Sequence, residues 1–515
     1  MSAKVVFIGL DAAEATLLEQ WAEEGVLESF ASLIRNGTTW HLDNSLETLP
    51  GAIWPELVSG ISCAKRPLYY HSRQLHSGEA RVRAVSPEDV DADDYFWVVA
   101  SREGKRVAAI DLPQTLLSPG INGIQLCEWG LHDRNFKIVS EPESLLAEIR
   151  ERFGDHPVTY CDRHGEVEAG YRVLLKGLLN GARMKSDLLC DFLDSETWDL
   201  FAGVYGETHC VGHQFWHFKD PAHPRYDPQA PTDLREAIPR VYEEIDKGIG
   251  RILRMAGPGA TVIVVASHGM GLYTSGPQLL PEILVRLGCG SAKSAASATT
   301  VRRFQTSVSH LPRHIQPLLR WAANTPLAKW MESKTGCLLD PLESEHTRAV
   351  ALRNNRCGAI RLNMKGREPN GSVEPGAEAD ALVAYIREEL LQLVDPATGE
   401  NIVVRVTAAD EAFGAAYHPD VPDIMVVFRA DLGLLERCTS PTVGDVRVPI
   451  YHPNIPRTGD HTTESRMWVV GSGIPAGERR YGGNVLDLAP TILDLLGVTL
   501  PSQVDGKSLM TMHAA

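Results

Sequence analysis

The sequence predicts an α/β protein, with a mostly parallel sheet covered by helices on both faces. Three observations lead there. Short apolar runs, most of them β-branched, recur at Val5–Leu10, Val107–Ile110, Leu200–Val204, Val262–Ala266, Ile424–Val427 and Trp468–Val470. Helical patterns, with apolar residues three and four apart, lie between many of them. Several runs end in Gly, Asp, Ser or His. Strands that are apolar on both faces belong to buried parallel sheets, whose ligands gather beyond the carboxyl ends of the strands.

The elements follow in order. Val5–Leu10 forms the first strand. Ala15–Glu24 and Leu27–Arg35 read as helices, the second stopping near Gly37 as a C-cap. A further helix is expected to start near Ile53, after the Pro50–Gly51 turn. Tyr242–Met255 reads as the helix before the Val262–Ala266 strand, and Leu488–Leu496 as the closing helix, with Asp487 as its N-cap. No internal repeat interrupts this order. The expected organisation is one catalytic domain over residues 1–515, with a helical, basic, cap-like insertion at 291–350 and an accessory segment at 351–430. Ser291–Lys334 holds seven basic residues, Lys293, Arg302, Arg303, Arg313, Arg320, Lys329 and Lys334, against the single acid Glu332. Such a stretch is a solvated surface insertion or a basic cap that steers an anionic substrate.

Charge and composition bound the function. The 515 residues carry 50 Lys+Arg and 66 Asp+Glu, a net charge of −16, with 43% apolar residues. That is globular composition, and its acidity argues against nucleic-acid partners, which need a basic face. Small anionic substrates remain open, because metal ions reverse a local field. No apolar run is long enough to span a bilayer. The start, MSAKVVFIGLDAAE, lacks the layout of a signal peptide. Nine scattered cysteines without a C-x-x-C pair read as reduced thiols, so the expected location is cytoplasmic.

Chemistry-bearing residues collect where strands end. Asp11 follows the first strand directly; a lone Asp there is usually a turn or cap residue. Thr48 precedes the turn before the Ile53 helix, a place for a capping hydroxyl or for an anion-binding one. The strongest local signal is WDLFAGVYGETHCVGHQFWHF, a strand leading into Glu207, His209, His213 and His217. Histidines four apart share one helix face, which is a standard way to hold a transition metal. Ser267–His268–Gly269 ends another strand, and Asp460–His461 precedes the last one. Each of these alone reads as a satisfied polar residue. Four such strand ends plus a hydroxyl point to a metal centre.

Taken together, GLDAAE, TLPGAIW with its following SG, ETHCVGH, SHGMG and the late GDH resemble the alkaline phosphatase superfamily, in its type I phosphodiesterase/nucleotide pyrophosphatase branch. The segments AIRLNMKGREPNG, PDIMVVF and VLDLAPTILDLLGV with DGKSL are also similar to that branch, so the resemblance runs from residue 4 to about residue 510. It implies a three-layer alkaline-phosphatase-like core and two divalent metal ions, zinc, about 4 Å apart. Thr48 takes the place of the nucleophile. Asp11, Thr48 and His268 fall at one metal, and His213 and His461 at the other.

Two positions depart from the family pattern. His209 stands where the family has Asp, and Ser267 where it has the Asp of Asp-His-Gly. One site becomes His209, His213 and His461, a set suited to zinc with an open fourth position. The other loses a carboxylate at Ser267 and is expected to bind its metal more weakly, unless Glu207, Asp460 or water fills the gap.

The implied function is metal-dependent hydrolysis of phosphate esters, of phosphodiester or nucleotide pyrophosphate type, through a phospho-threonine intermediate. Its partner is a small anionic phosphate-containing substrate, for which Lys65, Arg302 and Arg303 are candidate contacts. Phosphomonoester or phosphonate hydrolysis and group transfer use the same residues. A degenerate ligand-binding member is the non-catalytic alternative. A sulfatase is disfavoured, because the C/S-x-P-x-R segment is missing around Thr48. Oligomeric state is not legible.

Overall fold

The computed structural model describes residues 3–67, 73–76, 81–84, 89–130, 137–158, 161, 168–290, 346–352, 357–448 and 457–510. The chain divides into two compact units: residues 1–72, 85–272 and 457–515 form the first, and residues 73–84 and 273–456 the second.

The first unit is built on a nine-stranded sheet. Its strands are β1 (Ala3–Leu10), β2 (Thr38–Asp43), β3 (Val107–Ile110), β4 (Gly123–Cys127), β5 (Val139–Glu141), β6 (Trp198–Tyr205) and β7 (Thr261–Ala266). Three more follow in chain order, β8 (Gly269–Leu272), β9 (Gly459–Thr462) and β10 (Ser465–Val470), and then β11 (Glu478–Asn484). The spatial order is β11-β2-β10-β7-β1-β6-β3-β4-β5, while β8 and β9 pair separately as an antiparallel ribbon. Only β10 and β5 run against the others, so the sheet is mostly parallel, as expected.

Alternation along β1 explains the layers. Val6, Ile8 and Leu10 point into one core, and Val5 and Phe7 into the other. Successive strand side chains face opposite ways, so an all-apolar strand needs cover on both sides. The first core is closed by α1 (Ala15–Glu23) and α2 (Glu28–Asn36). The second is closed by α3 (Ile53–Ser59) and α4 (Phe96–Arg102). Helices α5 (Glu168–Ser195), α6 (Glu207–Lys219) and α7 (Ala237–Ala256) complete the first layer, and α8 (Leu488–Leu495) the second. Helix, sheet and helix thus make three layers.

The second unit has its own core. A four-stranded antiparallel sheet, in the order Ala349–Leu352, Gly358–Leu362, Ile424–Phe428 and Val403–Ala408, carries the helices Leu280–Arg286 and Ala377–Leu391. Buried Arg361 is satisfied within it by Glu368 and by the carbonyls of Pro419 and Val421. Residues 291–345, which hold the expected basic insertion with Arg302 and Arg303, lie outside the described residues.

Several expectations are corrected. Ile424–Phe428 is antiparallel and belongs to the second unit, and β10 is antiparallel to both its neighbours. A run of apolar residues reports burial on two faces, but neither direction nor partner. Asp487 makes no capping bond to α8; it accepts the backbone N–H groups of Asn484 and Lys507 instead. A short 3-10 turn at Val485–Asp487 precedes α8, and Asn484 caps that turn. Gly37 does end α2, but with φ −131, in extended conformation. A Cβ there would sit 2.2 Å from the carbonyl oxygen of Val469, so close approach to β10 requires the glycine. No described helix is long and apolar enough to cross a membrane. The eight described cysteines are buried and form no disulfide with one another.

Candidate metal centre

The register places the site. Leu10 lies level with Tyr205 of β6 and with Ala266 of β7, so Asp11, Glu207 and Ser267 leave the sheet at one edge. Strand β2 runs the same way, and the loop carrying Thr48 emerges at that edge too. Pairing continues past the strand ends, where Asp11 N–H donates to the carbonyl of Tyr205 at 3.0 Å. The next residue, Ala12, is buried with φ +50, a left-handed conformation that a non-glycine residue adopts only when its surroundings enforce it. Part of that enforcement comes from Thr208, whose Oγ1 donates to the Asp11 carbonyl at 2.6 Å.

Helix α6 starts directly after β6 and carries His209 and His213 one turn apart. Ribbon β8–β9 brings His461 level with Met270. The ribbon lies tight against α6 because both lack side chains at the crossing. A Cβ on Gly459 would come within 2.5 Å of the carbonyl oxygen of Gly212. Thr458 N–H donates to the carbonyl of His213 at 2.5 Å and locks the contact. Glu14 holds the other side of the ribbon: its Oε2 accepts the Met270 N–H and the Thr462 hydroxyl, both at 3.0 Å.

These elements converge three imidazoles. His213 Nε2 lies 3.2 Å from His209 Nε2 and 3.1 Å from His461 Nε2. Among the described residues these three form the group of ligand atoms close enough to hold a metal, all within 4.8 Å of one another. His209 and His213 are buried and His461 is half-buried. The chemistry of the donor set fits a cation. His213 Nδ1 is 2.7 Å from the Gly459 carbonyl oxygen, so Nδ1 carries the proton and Nε2 presents a lone pair. A lone pair aimed at two further ring nitrogens is repulsive without a proton or a metal between them. Tetrahedral zinc with Zn–N near 2.0–2.1 Å requires N···N separations of about 3.3 Å, close to those observed.

Of the remaining expected residues, His268 packs against this group. His268 is buried, and its ring centroid is 4.4 Å from that of His461. Burial pushes its imidazole down to about 3. Its Nδ1 is 3.0 Å from Ser267 Oγ, and its Nε2 has no partner among the described residues. Asp11 Oδ1 accepts the indole N–H of Trp54 at 2.7 Å. Thr48 is half-buried in the turn after β2, with Oγ1 donating to the Ser45 carbonyl at 2.9 Å. Its loop is tied at one end by Asn44, which donates to the Thr463 carbonyl at 3.2 Å, and at the other by the Trp54–Asp11 bond.

Other expected residues are engaged elsewhere. Glu207 pairs with buried His156 at 2.9 Å. Asp460 Oδ1 accepts the His461 N–H at 2.9 Å. Neither belongs to the three-imidazole group, and Glu207 keeps its second oxygen, Oε2, buried without a hydrogen-bond partner among the described residues. Lys65 is held by Asp505 and by the Gln503 carbonyl. His217, the third histidine on α6, bonds Thr458 Oγ1 at 3.1 Å and packs on Phe218.

Sequence reasoning passed over Glu14, Trp54 and Gly459 as individuals. Glu14 carried a signal, an acid set among alanines just beyond a strand. Trp54 and Gly459 carried none, because their roles depend on which segment packs against them.

The model of the family described as type I phosphodiesterase / nucleotide pyrophosphatase matches residues 5–445. No curated protein matches the chain. Among solved structures, the chain is similar to murine ectonucleotide pyrophosphatase/phosphodiesterase 5, an inactive variant in complex with AMP, at 10% identity and a TM-score of 0.48, over 97% of this chain and 96% of that one. The human counterpart gives 10% identity and a TM-score of 0.46, over 98% and 97%.

Proposed function

We propose, because this chain belongs to the type I phosphodiesterase/nucleotide pyrophosphatase family, that it is a metal-dependent hydrolase of phosphodiester or pyrophosphate linkages in small anionic substrates. The observation that carries the reading is His213 Nε2, set 3.1–3.2 Å from the ring nitrogens of His209 and His461, all three within 4.8 Å of one another, with the His213 tautomer fixed by the Gly459 carbonyl. His209, His213 and His461 would hold the ion. When bound there, a divalent ion supplies positive charge for the phosphoryl oxygens as negative charge develops on them.

The chain's own residues perform the transfer. Thr48 Oγ1 is the nucleophile: its bond to phosphorus forms as the bond to the leaving oxygen breaks, and the leaving group takes up a proton. Water then attacks the same phosphorus, the bond to Oγ1 breaks, and the hydroxyl regains its proton. In the resting state the Ser45 carbonyl accepts the hydroxyl hydrogen and orients Oγ1. The Asn44 and Trp54 bonds restrict the loop, which spares part of the ordering cost at the moment of reaction.

Thr48→Ala tests the assignment. Turnover of bis-p-nitrophenyl phosphate should fall by roughly a thousandfold or more, with zinc content by elemental analysis unchanged. Normal turnover in that variant removes Thr48 from the reaction.

A further inference from the structure

We infer that this centre is built for one metal ion, at His209, His213 and His461, and that Ser267 and Trp54 close the second position of the family's two-metal pattern. The inference rests on the metal-dependent reading above and deepens it.

Charge is the first argument. The family pattern places Asp at the positions of Asp11, His209 and Ser267, and this chain keeps only Asp11. Two dications about 4 Å apart repel roughly four times as strongly as two unit charges at that distance. Carboxylates offset that repulsion, whereas imidazole and hydroxyl groups do not.

Geometry is the second. The remaining carboxylate is already in use, because Trp54 aims its indole N–H at Asp11 Oδ1 from 2.7 Å. That bond takes one lone pair of Oδ1 and offsets part of the carboxylate's charge, and among the described residues no second group of three His, Cys, Asp or Glu ligand atoms gathers closely enough around Asp11 and His268 to hold a metal. Trp54 itself belongs to α3 and is buried in the second core, so the indole has no room to swing away cheaply.

The chemistry of position 267 is the third. Ser267 is fully buried, and its hydroxyl has one neighbour among the described residues, His268 Nδ1, at 3.0 Å. A hydroxyl in that hydrogen bond is neutral, so position 267 brings no negative charge to a second cation. The second position thus offers one imidazole and one hydrogen-bonded carboxylate, too little to hold a dication beside the first.

Metal stoichiometry tests this on the full-length protein, stripped with chelator and titrated with Zn2+ or Co2+ alone, reading bound equivalents and the visible absorption of Co2+. The wild type should take about one tight equivalent with the absorption of a four-coordinate site. His213→Ala should lose it. Ser267→Asp restores a carboxylate and should add about one further equivalent. Two tight equivalents in the wild type overturn the inference and leave the hydrolase reading standing. No equivalent at all overturns both. A single equivalent that survives in His213→Ala but disappears in His268→Ala overturns the assignment to the three imidazoles. These outcomes on the wild type, His213→Ala and His268→Ala decide the matter even if Ser267→Asp does not fold.

Discussion

A buried imidazole is costly to charge, and two in the first unit, His217 and His268, are held neutral. Burial, with Arg225 and His223 nearby, pushes His217 down to about 3; burial alone does the same for His268. The sign follows from linkage. In the unfolded chain a histidine takes up its proton below about pH 6.5, while the folded chain refuses it until about pH 3. The stability is therefore complete above about pH 6.5 and drains away as pH falls toward 3. Each such histidine removes up to about 1.4 kcal/mol per pH unit in that window. His217→Phe should lose stability less steeply than the wild type in urea unfolding between pH 7 and pH 5, and equal slopes contradict this. At this scale the sequence was informative wherever a residue's position followed from a strand end. The four-residue spacing put His209 and His213 on one helix face, the sequence reading set His461 with them, and the structure brings these three rings together. Trp54 was not legible, because its bond to Asp11 joins segments that no spacing connects.

At the scale of elements, the site is a helix start packed on a two-stranded ribbon. Glu14 is the tie between the ribbon and the β1 turn, accepting from Met270, Thr462 and Thr16 while itself buried. Glu14→Ala removes those acceptors and should cost about 1–3 kcal/mol of stability. Because His461 lies level with Met270, the same change should also weaken zinc binding by roughly tenfold. A thermal melt and a zinc titration check both, and unchanged zinc affinity contradicts the positioning role. Part of the strands and helices was legible from periodicity alone. β1, β3, β6 and β7 fall where the apolar runs lie, and α1, α2, α7 and α8 where the helical patterns lie. Direction was not legible, as β10 demonstrates. Neither was the separate sheet of the second unit, because Ile424–Phe428 is as apolar as a strand of the main sheet.

Across the whole molecule, the site draws on residues from Asp11 to His461, yet all of them belong to the first unit, whose two cores share one sheet. The excess of acid over base gives the chain a net charge of −16, which on its own repels a phosphate ester. On the proposed function, a cation among the imidazoles would make an anionic substrate compatible with this protein. The three-layer architecture was legible because alternation of strand and helix leaves few other packings; the site's metal count was not, because it depends on which hydrogen bonds occupy each ligand. The most direct measurement is turnover of bis-p-nitrophenyl phosphate by the zinc-loaded protein, by the same protein after chelation, and again after zinc is returned. Chelation should lower turnover by roughly a hundredfold or more, with recovery on zinc addition; full turnover by protein shown to be free of metal would contradict the account.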